Sequence, residues 1–159
     1  MIKSINPVTG AVIKRFKESS KKEVEKAIAT ARIGQSLWAA RSKIERIRIL
    51  QNLKVVLTKH KADLFAIITE EVGYTAELES ELSDILRGID YYCECYYNLQ
   101  SVRFPSDSAL KKTDVEVEFV PHGIVGHIGI WNYPFWQTLI TAVPALLAGN
   151  AIVHKPSDF

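Results

Sequence analysis

Cysteine is nearly absent from the 159-residue chain: Cys93 and Cys95 are the only two. They stand two apart in a segment of helical periodicity, where they point to different faces. That excludes a local disulfide or a metal knuckle and favours a reducing, cytoplasmic setting. No apolar run approaches the roughly 20 residues of a membrane span. The longest, Leu139–Leu147, contains Thr141 and Pro144, and Met1–Val8 has no apolar core of signal-peptide length. Net charge is only +2. The short basic pairs Lys21-Lys22 and Lys111-Lys112 lie in polar surroundings and read as solvated surface, so no nucleic-acid-binding face is expected. A phosphate-cradling G-x-G-x-x-G is missing as well. Gly123, Gly126 and Gly129 recur every three residues, but before or within an apolar run, which reads as packing glycines. None of the histidines (His60, His122, His127 and His154) has the spacing of a metal pair, and none is assigned chemistry. The chain contains no internal repeat and no low-complexity segment.

What remains is the balance of a globular domain, with 47% hydrophobic and 24% charged residues. A chain of this size buries roughly 68–70% of its unfolded surface. Met1–Ile13 reads as a small hairpin around the turn-rich Asn6-Pro7-Val8-Thr9-Gly10. Ser20 and Glu23 form a candidate capping box for a helix whose stripe is Val24, Ile28 and Ala31. Ser42 and Glu45 repeat that signal before Ile44, Ile47, Leu50, Leu53 and Leu57. A third helix is expected from about Ala62 to Val72, closed by Gly73. The fourth and longest carries Leu78, Leu82, Ile85, Ile89, Tyr92, Tyr96 and Leu99. Such a stripe fits one side of a helix packed on its own domain, or the seam of a coiled coil. Arg103–Thr113 reads as a linker. Asp114–Val120 alternates, with Val115, Val117 and Phe119 on one face and Glu116 and Glu118 on the other, as a strand with one wet face does.

The rest of the chain is organised around Phe119–Asp158. Two strand-length apolar runs, Ile124–Ile130 and Ala151–Lys155, flank a helix-like segment from Phe135 to Leu147. That order points to buried parallel strands joined by a crossover. Trp131-Asn132-Tyr133-Pro134 and Lys155-Pro156-Ser157-Asp158 then fall at the carboxyl ends of adjacent strands, the edge where open α/β sheets bind ligands. The amide of Asn132 is suited to donate a hydrogen bond to an oxygen gaining negative charge; a turn asparagine capping the following helix is the other reading. Lys155 is suited to ribose hydroxyls or a phosphate, or is a plain surface lysine. Asp158 is placed like the acidic ribose partner of dinucleotide sites.

Taken in order, Asn6-Pro7-Val8-Thr9-Gly10, Pro121-His122-Gly123-Ile124-Val125-Gly126, Trp131-Asn132-Tyr133-Pro134, Pro144-Ala145-Leu146-Leu147-Ala148-Gly149-Asn150 and Lys155-Pro156-Ser157 resemble the amino-terminal part of the NAD(P)-dependent aldehyde dehydrogenase superfamily. The resemblance spans the whole chain. It implies an α/β fold: an amino-terminal hairpin and helices over residues 1–113, an oligomerisation-type strand over 114–122, and the first β-α-β unit of a Rossmann-like parallel sheet, incomplete, over 123–159. It further implies that Asn132 stabilises the oxyanion of a thiohemiacetal. Ile130, Trp131, Lys155, Ser157 and Asp158 would then surround the cofactor, NAD or NADP with NAD slightly preferred, with no metal ligand.

Some positions depart from the family pattern. Asp158 stands where glutamate is typical, Ile130 where many members have proline, and Tyr74-Thr75 where a lysine-proline pair is common. The family's later Gly-rich turn, glutamate base and cysteine nucleophile lie outside these 159 residues, and neither Cys93 nor Cys95 occupies the nucleophile's place. The expected protein is therefore an amino-terminal portion of an aldehyde dehydrogenase, a homo-oligomer in its intact form, acting on a small aldehyde and inactive by itself. A non-enzymatic assembly or binding module and a fragment of an acyl-CoA-forming relative are the alternatives.

Overall fold

The computed structural model describes residues 1–104 and 115–158. Most of the expected linker, the Lys111-Lys112 pair and Asp114 lie outside them. The chain opens with the antiparallel hairpin β1 (Ile2–Ile5) and β2 (Val12–Phe16), longer than the expected Met1–Ile13. Its loop is an Asx turn: Asn6 Oδ1 accepts the N–H groups of Val8 and Thr9, both at 2.9 Å.

Four helices follow. α1 (Lys21–Ala39) and α2 (Lys43–Lys59) each begin in a complete capping box. Ser20 Oγ accepts from Glu23 N at 3.3 Å, and the Glu23 carboxylate takes Ser20 N–H at 2.7 Å. At Ser42 and Glu45 the same bonds measure 3.2 and 2.9 Å. α3 (Lys61–Val72) ends at Gly73, which is left-handed at φ 87°. A Cβ there would also meet Pro7 Cγ at 2.8 Å, so the glycine both stops the helix and lets the amino-terminal loop seat on it. α4 (Leu78–Asn98) packs inward: Leu82, Ile85, Ile89 and Cys93 join Leu50 and Leu57 of α2 in one core. The α4 stripe is thus the inner side of its own domain. Leu99 falls just past the helix end and is exposed.

Two expectations about strands need correction. Arg103 and Phe104, the start of the expected linker Arg103–Thr113, instead belong to β3 (Val102–Phe104), which pairs antiparallel with β4 (Val115–Val117). β4 is shorter than the expected 114–120, and both of its faces are exposed, including Val115 and Val117. Alternation identified a pleated strand but could not say whether anything covers its apolar side.

The carboxyl-terminal unit is β5 (Ile124–Ile128), α5 (Pro134–Leu147) and β6 (Ala151–Lys155), with β5 and β6 parallel and registered from Ile124↔Ala151 to Ile128↔Lys155. β5 stops two residues before the expected Ile130. There the chain turns, with Gly129 N–H donating to Lys155 O at 2.8 Å. The two strands are also less buried than their apolar runs suggested, Ile128 being 75% exposed. No third strand pairs with them among the described residues, and a two-stranded sheet leaves both edges open.

Both α1 and α5 pack against this strand pair, and α5 also packs on α4 and α2. Val143 and Leu147 of α5 complete the core. The carboxyl end of α5 is held by other elements. Trp38 Nε1 donates to Leu146 O at 2.7 Å, Gln35 Nε2 to Gly149 O at 3.0 Å, and Arg46 Nε to Leu147 O at 3.0 Å. Arg46, only 8% exposed, also donates to Ala39 O, Arg41 O and the Tyr96 hydroxyl. Replacing Arg46 with Ala strands several buried acceptors and is expected to cost about 3 kcal/mol of stability, with Arg46→Lys recovering only part of it. Urea unfolding followed by far-UV circular dichroism measures the loss; a change below about 0.5 kcal/mol would refute this role.

Candidate functional site at the strand ends

The rim begins where β5 and β6 stop. Because Gly129 N–H reaches Lys155 O, the Gly129–Tyr133 loop and the Lys155–Asp158 segment leave the sheet side by side. Asn132, Ile130, Trp131, Lys155, Ser157 and Asp158 therefore share one edge of the molecule. Asn132 and Trp131 are solvent-exposed. The amino-terminal cap position of α5 is Tyr133, which makes no side-chain capping bond, and Asn132 has no hydrogen-bond partner among the described residues. The helix-cap reading of Asn132 is not what the structure has; among the described residues its amide is uncommitted.

Lys155 Nζ lies 2.6 Å from Asp158 Oδ1. This lysine's hydrogen bond and charge hold the Asp158 carboxyl below the usual range. The glycines of this region divide. Gly129 does pack closely, since a Cβ there would stand 3.0 Å from His154 Cε1, whereas a Cβ on Gly126 would meet nothing within 4 Å. The packing reading therefore fails for Gly126, and for Gly123 too, where a Cβ would also meet nothing within 4 Å and the residue instead takes a positive φ of 110°.

Residues from distant helices brace the loop, and the sequence reading did not anticipate them. Glu81 of α4, 5% exposed, takes the Trp136 backbone N–H at 3.0 Å on one oxygen and the Tyr74 hydroxyl on the other. It thus caps the α5 amino terminus from outside, where a carboxylate is favoured by the helix dipole. No Lys or Arg pairs with Glu81 among the described residues. Burial and the bond to Glu81 push the Tyr74 phenol above its ordinary range. Tyr133 OH donates to Glu77, which raises the Tyr133 phenol too, and the Tyr74 and Tyr133 rings stand 5.8 Å apart. A recess of about 330 Å³ opens between α4 and the loop, lined by Glu77, Glu81, Asp84, Ile130, Tyr133 and Trp136.

Two histidines left without a role also meet here. His127 and His154 are register partners, with Nδ1 atoms 2.7 Å apart, and His127 Nε2 lies 2.6 Å from Gln137 Oε1. Each is the fourth residue of its five-residue strand; once the strands are taken as parallel and in step, that shared position is the signal that brings them together. Cys93 is buried in the core and Cys95 is exposed on α4. Burial pushes the Cys93 thiol up, away from the thiolate a nucleophile requires. Among the described residues no three His, Cys, Asp or Glu side chains gather as a metal site, and no helix is long and apolar enough to cross a membrane.

A parallel β-α-β unit with its polar groups at the carboxyl rim, preceded by a helical layer, is a mixed α/β arrangement of the Rossmann-like kind. The chain belongs to the aldehyde dehydrogenase family, whose model matches residues 1–159. Among solved structures, it is 30% identical to lactaldehyde dehydrogenase from Escherichia coli, with TM-score 0.90 over 99% of this chain and 33% of that one. An aldehyde dehydrogenase from Brucella melitensis is 28% identical, with TM-score 0.90 and coverage of 99% and 32%. The glyceraldehyde-3-phosphate dehydrogenase of Methanocaldococcus jannaschii, solved with NADP, is 26% identical, with TM-score 0.89 and coverage of 99% and 34%. The chain therefore spans about a third of the length of the structures it matches.

Glu81→Gln keeps the shape of the cap and removes its charge. The Tyr74 phenol is then expected to ionise at lower pH than in the wild type, read as the tyrosinate absorbance step. In the wild type the raised pKa means that stability is held up to pH 10, the unfolded value, and is lost as pH rises above it. An unchanged tyrosine titration in Glu81→Gln would contradict the bond.

Proposed function

We propose that this chain is the amino-terminal part of an NAD(P)-dependent aldehyde dehydrogenase that oxidises a small aldehyde to a carboxylic acid. The observation that carries the reading is that the loop holding Asn132, whose amide has no partner among the described residues, and the segment that follows Lys155 leave adjacent parallel strands together, joined by the Gly129–Lys155 bond. Asn132 donates an N–H to the substrate oxygen as it gains negative charge, an interaction stronger in the transition state than in the ground state. Lys155 holds ribose hydroxyls of the dinucleotide, with Ser157 and Asp158 completing that side, and Ile130 and Trp131 form the wall next to it. These residues fit a dinucleotide: an exposed cation with its carboxylate partner at the end of a parallel strand is suited to sugar hydroxyls. When bound, the nicotinamide accepts a hydride. NAD is favoured over NADP because the ionised Asp158 would repel a 2′-phosphate, an effect that Lys155 partly offsets. Two free cysteines accord with a cytoplasmic setting.

The 159-residue chain by itself supplies the donor and half of the cradle. With Cys93 in the core and Cys95 on α4, it presents no thiol at the rim and is inactive alone. Calorimetry is expected to show weak NAD binding that falls about tenfold or more in Lys155→Ala, the loss of one charge-assisted hydrogen bond. No NAD reduction is expected with any aldehyde; turnover by the pure chain would overturn the assignment of roles.

The exposed apolar side chains of β3 and β4 (Val102, Phe104, Val115 and Val117) favour a second reading, in which this part of the chain serves self-association. In that reading the chain is an assembly module of the same fold, or the oligomerising part of the intact enzyme. Sedimentation velocity with and without NAD separates them: oligomers that form regardless of NAD, together with no NAD binding, favour the module.

A further inference from the structure

The His127–His154 pair lies directly beneath the rim and has no part in the roles above. The two rings lie edge to edge and nearly coplanar, with centroids 4.8 Å apart and planes 16° apart, and their Nδ1 atoms face each other at 2.7 Å. A carbonyl oxygen only accepts, so the 2.6 Å contact with Gln137 Oε1 places a hydrogen on His127 Nε2. Neutral His127 then has a bare Nδ1, and His154 Nδ1–H donates to it. One directed chain thus runs from β6 through β5 to α5, with its inner ring 7% exposed. The next and last register pair is Ile128↔Lys155, and Gly129 N–H then closes onto Lys155 O. The His154 ring fills the space that Gly129 leaves open.

We propose that His127 and His154 are positioning residues for the dinucleotide site: the ring pair, sharing one proton between its Nδ1 atoms, holds the carboxyl ends of β5 and β6 together and so sets where Lys155 presents its ammonium. The proposal rests on the reading of Lys155 as a ribose ligand.

The proton count gives the pair a signature. One added proton goes to His154 Nε2 and leaves the Nδ1–H···Nδ1 bond intact. Burial first, and then His127, hold the His154 imidazole below its ordinary range, so the pair resists charging. Few other charges face it. α5 has no ionisable side chain between Pro134 and Leu147, Gln137 being the polar group that meets the pair. β5 contributes none besides His127 itself. α1 brings Glu23 and Lys26 to the recess that includes His154, and β6 adds Lys155 with its partner Asp158. Asp158 stays ionised through mildly acidic pH. The bond is therefore testable by what replaces the His154 Nδ1–H donor.

The test is calorimetric titration of the 159-residue chain with NAD at pH 8, in the wild type, His154→Asn and His154→Phe. Asparagine places an amide N–H where His154 has Nδ1–H, whereas phenylalanine keeps a ring and removes the donor. His154→Asn is expected to bind NAD within about twofold of the wild type and His154→Phe at least about fivefold more weakly, the worth of one hydrogen bond, with the far-UV circular dichroism of both unchanged. Equal affinity in His154→Phe and the wild type, or a loss in His154→Asn as large as in His154→Phe, would overturn the proposal. Absence of NAD binding by the wild type even at pH 8 would sink the Lys155 reading and this one with it. Imidazole ¹⁵N NMR of the unsubstituted chain at pH 8 needs no variant. It should find His127 protonated on Nε2 and His154 on Nδ1, and a proton on His127 Nδ1 would refute the pair.

Discussion

The structure depends on how α5 is held at its two ends. This helix has no charged residue and no side-chain cap of its own, and it contains Pro144, whose missing N–H removes one bond of its ladder. A helix in that condition exposes orphan donors at one end and orphan acceptors at the other. Here α4 supplies the Glu81 carboxylate to the amino end, while α1 and α2 supply Trp38, Gln35 and Arg46 to the carboxyl end. Negative charge thus sits at the positive pole of the helix dipole and positive charge at the negative pole. Asn150 adds a further tie, accepting Gly123 N–H at 2.9 Å and donating to Ala145 O at 3.0 Å. The helical layer is therefore more than a cover for the apolar stripe of α5; it supplies that helix with the polar partners it lacks.

That support reaches the rim. The Asn132 loop is the lead-in to α5, so a carboxylate that fixes the Trp136 N–H also limits where the loop can go. Tyr74 and Glu77 act on the same short segment, the first through Glu81 and the second through Tyr133. Meanwhile Asn132 and Trp131 themselves stay exposed. Functional groups left free on a firmly braced frame are what a site needs if it is to meet its ligand without reorganising. The imidazole pair extends the same division of labour to the β5–β6 side, where its rings are engaged with each other and the neighbouring Lys155 points its ammonium to solvent-accessible Asp158.

Much of the architecture was legible locally. Both capping boxes, the left-handed stop at Gly73, the inward stripe of α4 and the strand–helix–strand order at the end of the chain were readable locally, whereas Val24 and Ile28 of the expected α1 stripe and Ile44 of the α2 stripe are exposed. The W-N-Y-P and K-P-S segments located the rim. What was misread or missed had a common cause. The three residues of β3 became a strand only because Val102–Phe104 found Val115–Val117, and both faces of β4 are exposed. β5 ended early because Gly129 bonded across to Lys155.

Sequence alone determined the type and order of the elements and the residues brought to each strand end, because those follow from near-neighbour rules: periodicity, caps and turn chemistry act over a few positions. Only the tertiary structure decided that Glu81 caps α5 across a sequence separation of 55, that Arg46 holds the far end, and that His127 meets His154. Those contacts join polar groups whose partners lie in other elements. A buried carboxylate, guanidinium or imidazole is satisfied by whatever the fold brings within about 3 Å, and no local pattern in the chain encodes that distance.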